Sequence, residues 1–349
     1  MITVDGSMME GGGQLLRMAT AYSAILGKPF TIHSVRARRS QPGLRPQHLT
    51  TLRAAAELTK AELRGAELGS TDITFKPKNI RGGRYRFDIG TAGSVTLLLQ
   101  CLAPIAAYAD RRVELHITGG TAVPWSPPTP FLENIVWRAF EAMGLRCSLE
   151  VMRHGFYPKG GGVVTASVEP TETLKPFLPK HEPNNVVYGV SLCGRLPRRV
   201  AERQAASATE TLEESGLESR LSVFHLESAE APYSPGSIIC LWADHMFLGS
   251  DSLGERGKSA EKVGHEAAAI LVEQIRTGAA VDLHTSDHMI LLCSLAEGES
   301  RFSTSRLTLH TLTAVELAKM FTGAEFSVSG RVGQPATISC VGAGHTRRR

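Results

Sequence analysis

His310 stands where a strand-like segment gives way to a helix, in LTLHTLTAVELA (307–318). A neutral imidazole has a lone pair that can attack phosphorus, and a helix N-terminus favours the neutral ring because the helix dipole opposes a positive charge there. Ala314, Leu317 and Phe321, however, place His310 in phase with the buried face of the helix. The segment alone therefore favours a core histidine, with a nucleophile as the alternative.

Glycine triplets and clustered arginines occur in three further segments that could bind an anion. DGSMMEGGGQLLR (5–17) places three glycines between a strand and a helix, where free N–H groups and the helix dipole favour phosphate. HGFYPKGGGVV (154–164) places three glycines in a strand hairpin, which indicates either a close approach to that backbone or a tight bend. VRARRSQPGLRPQH (35–48) carries four arginines and is either a solvated basic face or an anion site.

Composition is that of an ordinary globular chain with a well-buried core. Of 349 residues, 42% are hydrophobic and 21% are charged, and the formal net charge of +4 is too small to argue for nucleic acid by itself. The longest apolar stretch, 94–109, is shorter than the roughly 18 to 20 residues that a membrane span needs, so no membrane insertion is expected. The six cysteines are widely spread without a C-x-x-C pair. This spread predicts reduced thiols and a cytoplasmic protein, or a nuclear one if the host is eukaryotic.

Glycine turns and amphipathic helices recur along the chain in the same order. Each repeat has a glycine-rich turn with a helix (9–27, 89–109 and 284–298), a second helix (45–58, 129–144 and 309–323) and a hairpin-like pair of strands (61–77, 147–169 and 324–341). We therefore predict an α/β (α+β) fold in which three βαβαββ units form a large domain. The third unit is displaced by about 90 residues, which indicates a smaller α/β domain inserted before it.

The displacement also predicts the domain boundaries. The large catalytic domain comprises 1–182 (repeats one and two) and 278–341 (repeat three), the inserted small α/β domain 183–277, and a basic tail 342–349. The border before the insert is the proline- and asparagine-containing LPKHEPNN (178–185). Within the insert we predict the strand VVYGVSLCG, the helix RVAERQAASATETLEES, the strands RLSVFHL and SIICLWADH, and the helix KSAEKVGHEAAAILVEQIR.

Seven strings, spread over nearly the whole chain, resemble the RNA 3′-terminal phosphate cyclase family: DGSMMEGGGQLLR, RRSQPGLRPQH, RGGRYRFDIGTAGS, GGTAVPWSPP, HGFYPKGGG, PRRVAER and LTLHTLTA. The repeat architecture with its insert is also that of the family. The resemblance implies ATP-dependent conversion of an RNA 3′-phosphate to a 2′,3′-cyclic phosphate. A histidine would take AMP from ATP, the AMP would move to the RNA 3′-phosphate, and the neighbouring 2′-hydroxyl would displace it. ATP and an RNA with a 3′-phosphate end are therefore the expected partners.

The resemblance assigns roles to individual residues. It matches His310 to the adenylated histidine, and it implies nucleotide contacts at Glu10, Gln100, Pro127, His284, Thr285, Ser286, Asp287 and His288. It matches the pocket for the RNA terminal phosphates to Arg17, Arg36, Arg39 and Gln47, where an arginine's planar fork suits two phosphate oxygens. Gln100 and Pro127 have core packing and turn formation as alternatives. For Arg38, Arg45 and His48 in the same segment we predict surface or packing roles.

A divalent cation, Mg²⁺ or Mn²⁺, is expected because the charge on the ATP phosphates must be neutralised during attack. The resemblance places Glu10 near this metal, and Asp287 is the other carboxylate of the motifs. The segment HTSDH (284–288) departs from the family pattern, so that His284 stands in place of a stacking aromatic and His288 in place of an amide. The two histidines lack an H-E-x-x-H frame, and we do not predict a metal site there.

Two other functions compete with the cyclase. The family includes ribosome-assembly proteins of the same fold that bind RNA and lack the catalytic histidine, whereas this chain has His310 and the arginine-rich segment. Related βαβαββ folds transfer enolpyruvyl groups to small molecules. His310 and the arginine-rich segment argue against that function for this chain. A covalent AMP adduct distinguishes the three. The sequence makes no prediction of oligomeric state.

Overall fold

The computed structural model describes residues 1–180 and 185–347. Its strands are β1 Ile2–Asp5, β2 Phe30–His33, β3 Glu62–Arg64, β4 Ile73–Lys76, β5 Gly83–Asp88, β6 Val113–Gly119, β7 Cys147–Arg153, β8 Gly162–Val168, β9 Val186–Gly194, β10 Glu218–Leu226, β11 Gly236–Ala243, β12 Gly249–Leu253, β13 Glu299–Thr304, β14 Glu325–Gly330 and β15 Ala336–Val341. Its helices are α1 Gly13–Leu26, α2 Pro46–Thr59, α3 Val95–Ala106, α4 Thr129–Phe131, α5 Trp137–Ala142, α6 Arg199–Glu214, α7 Ala260–Arg276, α8 Leu283–Leu295 and α9 Leu309–Thr322. A π-helical segment, Leu132–Val136, joins α4 to α5, so the helix predicted over 129–144 is interrupted.

The strands form four separate sheets. The first has the order β1-β2-β4-β3 and the second the equivalent order β5-β6-β8-β7. In both, the first two strands are parallel and the other pairs are antiparallel. The third sheet has the order β13-β15-β14, and Val281 makes an isolated parallel bridge to Thr304 of β13 where a fourth strand would lie. The mixed α/β fold class is thus as predicted.

The helices that carry predicted site residues begin at well-defined positions. α3, α8 and α9 start after Ser94, Asp282 and Thr308, whose side chains accept backbone N–H groups of the first turn. α1 instead follows Gly12 with no side-chain cap. Its first N–H groups therefore stay free for another partner.

Helices α1 and α9 pack side by side in the same direction within the main core. The rings of Tyr22 and Phe321 stack with centroids 5.5 Å apart, and the Tyr22 hydroxyl lies 2.8 Å from Ser294 Oγ. Lys28 Nζ donates to the Phe321 carbonyl at 2.7 Å. Because both helices run the same way from their glycine-rich and threonine-capped starts, their N-termini meet at one end of the core.

The part of the chain between β8 and β13 forms the fourth sheet, with the strand order β10-β9-β11-β12. α6 and α7 cover one face of this sheet around a small core that includes Ile239, Leu241, Val263 and Leu271. The strand β12, GSDSL, was not predicted, because three of its five residues are polar and only one is a large hydrophobic residue. The domain boundaries remain a prediction, and residues 181–184 of the border segment and 348–349 of the basic tail lie outside the described residues.

None of the helices within residues 1–180 and 185–347 is long and apolar enough to cross a membrane. The six cysteines are free thiols, and all but Cys147 are buried.

Candidate active site

His310 is the second residue of α9, and its side chain is 45% exposed. Its Nδ1 lies 2.7 Å from Oε1 of Gln14 on α1. With the amide oxygen as acceptor, Nδ1 carries the proton and Nε2 carries the lone pair. The ring is therefore held by one edge, while the other nitrogen is available for attack on an electrophile.

The surroundings of His310 favour its neutral form. Its pKa is lowered by burial first and then by the positive charges of Arg17 and Arg39. Glu10 Oε1 lies 3.7 Å from Nε2 and would favour the imidazolium, but that carboxylate is itself paired with Arg39. The net result is an imidazole that stays unprotonated below the pH at which an exposed histidine would gain a proton.

Glu10 is a buried carboxylate with one oxygen unused. Its side chain is 11% exposed; Oε1 accepts from Arg39 Nη2, while Oε2 is buried without a hydrogen-bond partner. A Cβ on Gly12 would overlap this carboxylate, so the glycine turn makes room for it. A buried carboxylate oxygen without a partner fits a cation. No group of three or more His, Cys, Asp or Glu in the described chain could hold a metal by itself, so other ligands would come from phosphates and water.

Arg17 supplies a positive charge near His310. Burial lowers its pKa to about 10, and no carboxylate of residues 1–180 or 185–347 forms an ion pair with it. Arg17 lines a narrow pocket together with Gln14, Gln100 and His288. Both polar atoms of the Gln100 side chain are buried there without a partner. An uncompensated guanidinium and an unpaired amide in one pocket suit a polar, anionic ligand.

The other residues predicted for the RNA phosphates have partners within the protein. Arg36, which has a positive φ of 56°, donates through Nη1 to the carbonyls of Gln41 at 2.8 Å and Gly43 at 2.9 Å. Gln47 Oε1 accepts from the backbone N–H of Ser94 at 2.8 Å, which joins the starts of α2 and α3. These two side chains therefore shape the loops around the pocket, and any phosphate contact would come from their remaining donors.

Of the three neighbours for which surface or packing roles were predicted, Arg38 and His48 contact the glycine turn, and Arg45 is exposed. Arg38 Nη1 donates to the Met9 carbonyl. Arg45 precedes α2 and donates its backbone N–H to His48 Nδ1 at 3.3 Å. His48 lies directly beneath Gly13, and burial first and then nearby arginines lower its pKa to about 3. A neutral, buried His48 thus supports the glycine turn.

Asp287 on α8 fixes the beginning of the helix that carries His310. Its Oδ1 accepts from Thr311 Oγ1 at 2.6 Å and from Thr308 Oγ1 at 3.3 Å. Burial raises the pKa of this carboxyl to about 7. Asp287 also lines the pocket that contains Arg17 and His288, so its predicted nucleotide contact stays a prediction beside these contacts to α9.

The rest of the HTSDH segment divides between the surface and the core. Thr285 and Ser286 are fully buried, and their hydroxyls bond to Asp282 and to the Leu283 carbonyl. His288 lines the pocket, and burial first and then neighbouring charges lower its pKa to about 3. The structure therefore brings His288 to the candidate site but leaves the side chains of Thr285 and Ser286 inaccessible.

Two predicted nucleotide contacts lie at the edge of the site. The ring of His284 is exposed at the start of α8, with its centroid 6.3 Å from that of Phe131. The Pro127 carbonyl accepts from Thr96 Oγ1 at 2.6 Å, which ties the proline loop to α3. The nucleotide contacts of His284 and Pro127 remain predictions.

Sequence reasoning missed Gln14. A signal was present, because Gln14 and Arg17 are three residues apart on α1 and share one helix face. What the sequence could not supply was the partner, since His310 lies 296 residues away.

The glycine triplet of HGFYPKGGG meets other parts of the same chain. A Cβ on Gly160, where φ is +63°, would lie 2.7 Å from Ala92 Cα, and a Cβ on Gly161 would overlap the Tyr233 ring. Arg153 sits over that ring at 4.2 Å. The close approach predicted from the glycines is therefore made by the GTAGS loop and by the inserted stretch, which docks here.

Known relatives that match this chain over most of its length belong to one family of enzymes. A model of the RNA 3′-terminal phosphate cyclase family matches residues 8–328. The chain is 44% identical over 344 residues to an RNA 3′-terminal phosphate cyclase of Methanopyrus kandleri, covering 97% of this chain and 98% of the relative. It is 47% identical over 333 residues to one of Hyperthermus butylicus, covering 93% of each. The chain belongs to the RNA 3′-terminal phosphate cyclase family.

Proposed function

We propose that this protein uses ATP to convert an RNA 3′-terminal phosphate to a 2′,3′-cyclic phosphodiester, through a covalent His310–AMP intermediate. Family membership supports the overall reaction. The observation that carries the nucleophile is the hydrogen bond from His310 Nδ1 to Gln14, because it leaves the Nε2 lone pair free beside the unpaired Arg17.

In the first step His310 Nε2 attacks the α-phosphorus of ATP. A nitrogen–phosphorus bond forms and the bond to the β-phosphate oxygen breaks, so pyrophosphate leaves. The Nδ1 proton stays directed at Gln14, whose amide oxygen stabilises the positive charge that develops on the ring. Arg17 stabilises the negative charge on the reacting phosphoryl group.

Glu10 would hold the divalent cation through Oε2, the oxygen that lacks a partner. When bound, Mg²⁺ or Mn²⁺ neutralises phosphate charge as pyrophosphate departs. Glu10 also pairs with Arg39 in the ligand-free protein. A cation on Glu10 would compete with Arg39 for the carboxylate, and Arg39 would then be available to bind the RNA 3′-phosphate.

In the second step an oxygen of the RNA 3′-phosphate attacks the phosphorus of His310–AMP. Nε2 leaves with its electron pair, and the RNA end now carries AMP in a diphosphate linkage. In the third step the 2′-hydroxyl attacks the 3′-phosphorus, AMP leaves, and the hydroxyl proton passes to solvent or a nearby base. The ring closes readily because intramolecular delivery gives effective molarities of about 10⁵ M or more.

The first test is incubation with ATP labelled at the α-phosphate, with Mg²⁺ or Mn²⁺ and without RNA. The protein should become labelled through an acid-labile, alkali-stable bond, and His310→Ala should abolish labelling. His265→Ala, on the exposed surface of α7, is the matched control and should label normally. Label that persists in the His310 variant would exclude this nucleophile.

The second test separates adenylation of the RNA from ring closure. An oligonucleotide that ends in a 3′-phosphate on a 2′-deoxyribose should accept AMP and stop, because it lacks the attacking hydroxyl. The ribose version should yield the cyclic end, and a 3′-hydroxyl end should accept nothing. If mass spectrometry finds no adenylated deoxy product while the ribose substrate cyclises, the activated-end intermediate is wrong.

A further inference from the structure

Trp125 is a large aromatic residue whose side chain does not pack in the core. Its side chain is 98% exposed, whereas Trp137 is 4% exposed. Its backbone φ is +68°, in the left-handed region that a bulky residue rarely adopts. A protein that keeps an exposed indole on a strained backbone commonly uses that residue for binding.

The loop that presents Trp125 is held firmly on both sides. The Thr129 N–H donates to the Thr121 carbonyl at 3.0 Å, and Ser126 Oγ donates to the Val123 carbonyl at 3.1 Å. Val123 is buried. The indole is therefore projected from a fixed loop and is pre-positioned for a partner.

Hydrogen bonds connect this loop to the candidate active site. Two residues after Trp125, the Pro127 carbonyl accepts from Thr96 Oγ1 at 2.6 Å. Thr96 Oγ1 lies 2.7 Å from Ser94 Oγ, and the Ser94 N–H donates to Gln47 at 2.8 Å. The Trp125 loop is thus linked through Thr96 and Ser94 to Gln47, which the family resemblance assigns to the pocket for the RNA terminal phosphates.

A second exposed aromatic residue and a free cation lie on the neighbouring hairpin. Ala122, three residues before Trp125, forms a parallel bridge with Phe156, and the following Tyr157 is 67% exposed. Lys159 is exposed and forms no ion pair within the described parts of the chain. Aromatic faces beside a basic group are the usual means of holding single-stranded nucleic acid, because every base has a face that can stack.

We propose that Trp125 stacks on an unpaired base of the RNA on the 5′ side of its terminal phosphate. Tyr157 extends this aromatic surface, and Lys159 contacts the phosphate backbone. The inference rests on the proposed function, which brings an RNA 3′ end to this site. Stacking of this kind is tolerant of base identity, so the site selects unpaired ends rather than a sequence.

The decisive measurement compares a pentaribonucleotide 3′-phosphate with a nucleoside 3′-phosphate as acceptors for Trp125→Ala. The KM for the pentanucleotide should rise about 5- to 150-fold, the range measured when single stacking residues are replaced, and the KM for the nucleoside should not change. Trp125→Phe should keep most of the affinity. Leu68→Ala, at a side chain that is 64% exposed in the turn between β3 and β4, is the matched surface control.

Abasic substitutions at successive positions of the pentanucleotide identify the stacked base. At one position, removal of the base should weaken binding of the oligonucleotide to the wild type but should not weaken its binding to Trp125→Ala. Independent losses at every position, or equal KM values for wild type and Trp125→Ala, overturn the proposal. A wild-type dimer that Trp125→Ala converts to a monomer in sedimentation, with unchanged KM for RNA, would assign the residue to self-association and also overturn it.

Labelling by ATP without RNA keeps this proposal separate from the proposed function. Trp125→Ala should self-adenylate at the wild-type rate. Absence of labelling in the wild type, together with quenching of Trp125 fluorescence by the pentanucleotide, would refute the cyclase mechanism and leave the stacking site standing.

Discussion

Replacing Gln14 by leucine should slow the adenylation of His310 while leaving the fold intact. Gln14 Oε1 accepts the Nδ1 hydrogen at 2.7 Å and so selects the tautomer with a lone pair on Nε2. A hydrogen bond of this kind contributes about 0.5–1.5 kcal/mol, which corresponds to a rate lower by about 2- to 13-fold at saturating ATP. The other tautomer, no longer disfavoured, would lower the rate further.

Replacing Gln14 by glutamate tests the same contact in the opposite electrostatic direction. In the wild type, burial and two arginines lower the pKa of His310 from its ordinary value of 6.5, so adenylation should persist below pH 6.5 and fail only when the ring becomes protonated. A carboxylate at residue 14 favours the imidazolium and raises that pKa. The acidic limb of the rate profile should therefore move to higher pH.

The assay is a single turnover with labelled ATP over a range of pH. Reactions are stopped with EDTA and detergent at alkaline pH, because the phosphoramidate is labile in acid. Gln334→Leu, which changes an exposed side chain and keeps the backbone bond to Leu307, is the control. Wild-type rates in Gln14→Leu together with an unshifted profile in Gln14→Glu would refute the tautomer argument.

Three further outcomes follow from contacts in the structure. Arg39→Ala should leave self-adenylation largely intact but lower transfer to RNA about 10- to 150-fold, because it removes charge-assisted bonds worth about 1.5–3 kcal/mol. It should also lower the metal concentration needed for labelling, because the Glu10 carboxylate loses its partner. Normal transfer with failed labelling would place Arg39 at ATP instead. Gly161→Ala should lower the free energy of urea unfolding by about 1–3 kcal/mol more than Gly216→Ala. Both glycines have a positive φ, but only a Cβ on Gly161 would clash with the Tyr233 ring. Equal losses would show that the contact with Tyr233 is unaffected. Burial raises the pKa of Asp251 to about 7. Its stabilising contribution is complete below the unfolded pKa near 3.8 and is lost as pH rises to the folded pKa, so Asp251→Asn should gain stability relative to wild type between about pH 4 and pH 7. A constant difference over that range would contradict this.

Periodicity and capping residues were sufficient to predict the helices that carry the site. The segments predicted at 9–27 and 309–323 contain α1 and α9, and the segment predicted at 284–298 begins one residue after the start of α8. Each combines a turn or capping residue with a long apolar face. The alternation that identifies strands is weak in β12, and the π-helical segment has no signature in the residues. Those two elements depend on tertiary packing, which local pattern does not report.

The two interpretations of His310 prove to describe two edges of one ring. The Nδ1 edge contacts Gln14, as the helix phase predicted for an inward-facing residue, while the Nε2 edge stays open. Sequence could not show that Glu10 pairs with Arg39 or that Asp287 holds the start of α9, because these contacts join elements whose relative placement no local spacing reveals. The site roles carried by family resemblance stay predictions until the variants are measured.

The pairing of α1 with α9 has a consequence for how the protein acquires activity during synthesis. Gln14 and His310 are 296 residues apart, so the first helix of the chain must pack against the last helix before His310 has its hydrogen-bond partner. Bringing two such distant residues together has an entropic cost that only the completed core offsets. Contacts between residues far apart in the sequence also slow folding. A nascent chain without α9 therefore lacks the proposed site, which is complete only when the native core is complete.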